Sequence, residues 1–202
     1  MRRTSWHHGR SAVEQLEALV GQAREPGFLR VDFESGGGGG ALCWTYLEPW
    51  TRSRAVTVAV IDGTLASPGL EVALCSDLVY VAPCAVLELA AGAGPPAAGV
   101  VWALGRAGRA ALARGLLDSS SLTADEAVAL GLAQATVAAD GDLPLPTGFS
   151  PAAVTTARDL MRATPSTGPG LALELASFRL LFAAGDPNEG GRAFLEKREP
   201  EF

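Results

Sequence analysis

The chain has 202 residues, 48% hydrophobic and 19% charged, which suits one globular domain with a substantial core and excludes a disordered chain. Its formal net charge of -6, with Lys197 as its only lysine, argues against nucleic acid as a main partner, because phosphate binding needs clustered cations. Three cysteines (Cys43, Cys75, Cys84), odd in number and without a CxxC pair, read as a reduced, cytoplasmic protein without structural zinc.

The opening MRRTSWHHGRSAVEQ is positively charged but leads into an amphipathic stretch, so no signal peptide is expected. His7 and His8 have no further histidine to work with and are expected in a frayed N-terminus. From Ser11 to Glu25, Val13, Leu16, Leu19 and Val20 share one helical face, with Ser11 as N-cap. Phe28 to Phe33 alternates apolar and polar residues and predicts a strand. The run Gly36 to Gly40 predicts a loop, read first as a flexible surface segment and alternatively as an anion cradle of backbone N–H groups. It lacks the Gly-Lys-Ser/Thr of a P-loop. Ala55 to Ile61 is a buried-strand signature ending in the turn Asp62-Gly63.

Ser67-Pro68 predicts a helix start, with serine capping and proline at the first helical position, running to about Ser76. Leu78 to Val81 and Val86 to Leu89 are expected strands, giving an α/β layout. The most apolar window, Ala85 to Leu104, is broken by Pro95-Pro96 and reads as core and loop, not as a membrane span. Beyond Ala97 the pattern turns helical, with a capping box at Thr123 to Glu126 and a stop at Gly131. Ala133 to Val137 returns as a strand, Asp140 to Ser150 is a linker, and Ser150-Pro151 starts a helix. Asp186-Pro187 starts another, with Glu189 closing a second capping box.

Shortage of histidine and the lack of GxSxG disfavour a Ser-His-Asp hydrolase. Glu71 is the residue that stands out. It falls in the first turn after Ser67-Pro68, where a helix start offers unpaired N–H groups. Amide donors beside a carboxylate suit thioester enolate chemistry: donors take charge on the carbonyl oxygen while the carboxylate moves a proton. The plainer explanation is that a first-turn glutamate complements the helix dipole.

The segment Ala55 to Asp77, with its strand, Asp62-Gly63 turn, glycine-containing loop and helix bearing Glu71, resembles the crotonase (enoyl-CoA hydratase/isomerase) superfamily. So do Gly108 to Leu117, Leu122 to Ala127 with Gly131-Leu132, and the ending Asn188 to Phe202. The resemblance spans Phe28 to Phe202 and implies an α/β spiral of ββα units with a helical C-terminal region. It implies a core over 1–139 and, within the same structural domain, a helical region over 140–202 serving oligomerisation or as a lid.

It also implies an acyl thioester of coenzyme A or a carrier protein as substrate, no separate cofactor, a homo-trimer or hexamer, and two amides forming an oxyanion hole. Glu71 matches the family's first catalytic glutamate; the second falls at Ala91, with Glu88 as a nearby substitute. One oxyanion donor falls at Pro68, which has no N–H, a loss typically costing about a hundred- to a thousand-fold in rate. Gly69 or Leu70 is the expected replacement, with the other donor coming from the Gly36–Cys43 loop around Gly40 and Ala41. Lys197 matches the stretch that meets the nucleotide end of coenzyme A. The family's first strands, and the helix between its oxyanion loops, are expected to be largely missing.

Around Thr64-Leu-Ala-Ser-Pro68 the chain is similar to the small crotonase-like subunit of dihydroxyphenylacetyl-CoA synthase systems. That likeness implies bacterial polyketide or other secondary metabolism. Two functions follow as expectations. One is an enzyme of dehydration, isomerisation or assisted cyclisation with Glu71 as acid/base. The other is a catalytically degenerate helper bound to a polyketide synthase or a fuller crotonase. No membrane partner is expected.

Overall fold

The computed structural model describes residues 1–37, 40–89, 97–115, 121–145, 150–163, 179–180, 182–183 and 185–201. The chain forms two compact units, Met1–Leu143 and Pro144–Phe202.

In the first unit, strands β1 (Arg2–Trp6), β2 (Phe28–Phe33), β3 (Val56–Ile61), β5 (Leu78–Val81) and β8 (Ala135–Thr136) form a parallel sheet in the order β1-β2-β3-β5-β8. A second sheet has the order β4 (Thr64–Leu65), β6 (Val86–Glu88), β7 (Ser121–Thr123), with only the β6–β7 pair antiparallel. Helices α1 (Ala12–Gln22), α2 (Trp44–Thr51), α3 (Gly69–Leu74), α4 (Ala98–Ala107), α5 (Arg109–Ala113) and α6 (Ala124–Ala129) connect them. The chain therefore repeats a strand–strand–helix turn, β3–β4–α3 and then β5–β6–α4, the first strand entering the large sheet and the second the small one.

All six residues of β3 are buried, as a central parallel strand covered on both faces requires. Phe33, Leu47, Trp50, Leu70 and Leu87 are fully buried core residues, each contributing about 1.5–3 kcal/mol by its transfer from water. Three hydrogen bonds fix α3 between its neighbours. Trp50 Nε1 donates to the Val72 carbonyl (3.1 Å) from α2. Asp77, just past α3, accepts from the Thr57 amide (2.9 Å) and hydroxyl (3.0 Å) on β3.

Several expectations need correcting. A first strand and a helix between the two loops are present, as β1 and α2. His7 and His8 are not frayed: the His7 amide donates to Gln15 Oε1 (2.8 Å), and His8 Nε2 lies 2.9 Å from the Glu34 carbonyl oxygen. Pro68 occupies the N-cap of α3, so the helix begins at Gly69 and ends at Leu74, without a side-chain cap from Ser67. The strand expected over Ala133 to Val137 is only two residues long. The Thr123–Glu126 capping box forms as expected.

In the second unit, α7 (Pro151–Ala163) starts at the expected proline and α8 (Asp186–Glu196) follows later. The second capping box does not form, because Gly185 is the N-cap and Glu189 has other partners. Its carboxylate accepts from Arg198 (2.7 Å), the Glu201 amide (3.0 Å) and Arg192. Arg198, foremost, holds Glu189 down to a pKa of about 2. Among the described residues no helix is long and apolar enough to cross a membrane.

Candidate active site

Helix α3 is buried along its whole length, and Glu71 on its first turn is fully buried. A carboxylate there needs hydrogen-bond partners, and two backbone amides supply them. The Leu42 amide donates to Oε1 (2.8 Å) and the Gly99 amide to Oε2 (3.2 Å). Burial pushes the Glu71 pKa up, while the Leu42 and Gly99 amides oppose that shift without cancelling it.

Leu42 ends the loop that leads through Cys43 into α2, and Gly99 is the second residue of α4. Gly99 is a glycine for lack of room: a Cβ there would lie 2.9 Å from both Glu71 Cβ and Leu47 Cδ1. Neither donor is marked in the sequence by a chemical motif, and sequence reasoning missed both. The available signal was a glycine at the second position of a mostly apolar helix, three residues after Pro96.

The glycine run is packed at its near end. The Gly36 amide donates to the Thr64 carbonyl (2.8 Å) and its carbonyl accepts from Ala66 (3.0 Å), aligning the loop with the residues that lead into α3. The His8 ring fills the place of a Cβ at Gly36, 2.3 Å away, and the Ala66 methyl crowds that of Gly37 at 2.5 Å. Gly40 and Ala41 are exposed, and the amide of this loop that reaches Glu71 belongs to Leu42.

Pro68 contributes no N–H, and its carbonyl accepts from Val72 (3.4 Å). The Leu70 amide is committed to the Ala66 carbonyl (3.1 Å). Of the two replacement donors expected for Pro68, Gly69 is thus the better placed, buried at the start of α3 beneath the Trp6 indole. Glu88 sits apart on β6, exposed and paired across the strand with Ser121. Ala91 lies outside the described residues. Lys197 is exposed and caps α8 in a left-handed conformation (φ 54°), its amide donating to the Ala193 and Phe194 carbonyls.

The sequence model of one family, described as enoyl-CoA hydratase/isomerase, matches residues 44–202. The chain is 30% identical over 168 residues to 2,3-dehydroadipyl-CoA hydratase of Escherichia coli, covering 76% of this chain and 66% of that protein. It is 32% identical over 166 residues to YhaR of Bacillus subtilis, covering 75% of this chain and 64% of that protein. The chain thus spans just under two thirds of the length of these curated relatives. Its fold is similar to that of an enoyl-CoA hydratase from Bacillus anthracis, with a TM-score of 0.79 at 20% identity over 99% of this chain and 94% of that one. It is also similar to Pseudomonas aeruginosa DspI, with a TM-score of 0.80 at 25% identity over 99% and 92% of the two chains. The spiral of ββα units is therefore the crotonase fold.

Proposed function

Because the chain belongs to the enoyl-CoA hydratase/isomerase family, we propose that it acts on an acyl thioester of coenzyme A or a carrier protein, with Glu71 as the acid/base. The observation that carries this reading is the buried Glu71 carboxyl, its ionisation displaced upward, between the loop that follows β2 and the start of α4. A carboxyl tuned in that direction can hold and release a proton within one turnover. In isomerisation it takes a proton from one substrate carbon and returns it to another, the electron pair resting meanwhile on the thioester oxygen. The Gly69 amide, with an amide of the Gly36–Cys43 loop, is the proposed pair of donors to that oxygen.

A single carboxyl favours isomerisation, dehydration or assisted cyclisation over hydration, for which two carboxylates place and deprotonate the water. Lys197 as a coenzyme A contact, homo-oligomeric assembly and a setting in bacterial secondary metabolism belong to the same proposal. The test is Glu71→Gln assayed on a panel of enoyl and 3-hydroxyacyl thioesters. We expect kcat to fall by about a hundredfold or more with KM little changed. Undiminished turnover sinks the assigned role.

A specific observation favours a second reading, the catalytically degenerate helper. Both oxygens of Glu71 are occupied by backbone amides, its side chain is sealed from solvent, and Pro68 offers no donor. On this reading the carboxyl is structural, the wild-type protein turns over no thioester alone, and it co-purifies with a biosynthetic enzyme. Unaided turnover by the isolated protein excludes the helper.

A further inference from the structure

The two amides that hold Glu71 come from segments far apart in sequence, and something must keep both on the same carboxylate. Beside that junction, Trp44, the first residue of α2, meets Trp102 of α4, ring centroids 5.6 Å apart and tilted by 43°. Trp44 stands two residues after Leu42, and Trp102 one helical turn after Gly99. The Arg106 guanidinium lies over the Trp102 ring, 4.8 Å from its centroid, a cation–π contact that restrains the indole. Both indoles are half-buried, whereas Leu47, which packs against Gly99 from within, is fully buried. The aromatic contact thus joins the start of α2, which follows Leu42, to the turn of α4 that follows Gly99.

We propose that Trp44 and Trp102 are positioning residues: their contact holds the Leu42 and Gly99 amides on Glu71. This holding of the amides does not depend on the acid/base reading of Glu71. An aromatic pair of this kind adds a directional contact to what its buried area contributes.

The test is residue-resolved amide hydrogen exchange on the full chain without substrate, with Val58 and Val60 in the β2–β3–β5 ladder as reference amides. Trp102→Ala and Trp44→Ala are each expected to speed exchange at Leu42 and Gly99 on the order of tenfold, with the reference amides within about threefold of wild type. Trp102→Phe, which keeps an aromatic contact, should restore Leu42 and Gly99 to within about threefold. The proposal is overturned by unprotected Leu42 and Gly99 amides in the wild type, or by wild-type exchange there in both alanine variants. A rise only in step with Val58 and Val60, or a phenylalanine variant as fast as the alanine one, overturns it equally. Since no substrate is present, the result stands whether or not Glu71→Gln abolishes turnover, so the two readings fail separately.

Discussion

Glu71 is a buried carboxyl whose amide partners come from two other segments, and its environment makes a directional claim about pH. Burial raises its pKa in the folded chain, and in the unfolded chain it titrates as an ordinary carboxyl. Between those two values the folded state holds the extra proton. Its contribution is therefore favourable at low pH and is lost as pH rises through the folded value. Glu71→Gln removes the titration. The melting temperature of the wild type minus that of the variant should fall as pH rises above the ordinary carboxylate range. A difference that grows with pH would show that the amides, and not burial, dominate this carboxyl.

At the scale of elements, α3 is held by what crosses it more than by its six residues. Trp50 reaches it from α2, Asp77 ties its far end to β3, and α4 presses Gly99 against Glu71. Alanine normally stabilises a helix by about 0.5–1 kcal/mol over glycine. At position 99, however, the added methyl would meet Glu71 Cβ and Leu47 Cδ1 at 2.9 Å. Overpacking of that kind costs about 1–3 kcal/mol, so Gly99→Ala should lose about 1–2 kcal/mol in denaturant unfolding and loosen the Gly99–Glu71 bond. A stabilised variant would mean that α4 moves aside freely.

Elements read from local signals came out well where the signal was local. Phe28 to Phe33 and Leu78 to Val81 are strands over the expected residues, and Ser11 accepts from the Glu14 amide as an N-cap should. Helix α2 was missed because Pro49 and three bulky aromatics in eight residues give it no amphipathic period. Strand β1 was missed because Arg2, Arg3 and Thr4 carry no apolar run; its parallel pairing with β2 makes it a strand.

In the first unit, a long-range tether runs from β2 to the chain just before the unit ends. Arg30 is buried and donates to Asp32 (2.7 Å), to the Gly141 carbonyl (3.1 Å) and to the Ala139 carbonyl (2.5 Å). Asp32 also pairs with Arg3 at 2.6 Å, joining β1 to the same knot. Arg30→Ala would strand Asp32 and two carbonyls beside a cavity, a loss of about 3 kcal/mol by analogy with broken buried pairs. Chemical denaturation measures it, and a loss below about 0.5 kcal/mol would show that water replaces the guanidinium.

The sequence by itself determined the family, the alternation of strands and helices, and the identity of the one carboxyl at the start of a buried helix. These are carried by residues near one another along the chain: the Ala55 to Asp77 segment, the capping box and the terminal stretch. Only the tertiary structure decided which amides meet Glu71, that Leu70 is already engaged, that Glu88 is exposed and that Trp44 meets Trp102. The reason is physical. Backbone donors are the same at every residue, so no side-chain pattern marks which two a folded chain will bring together across 29 and 28 positions.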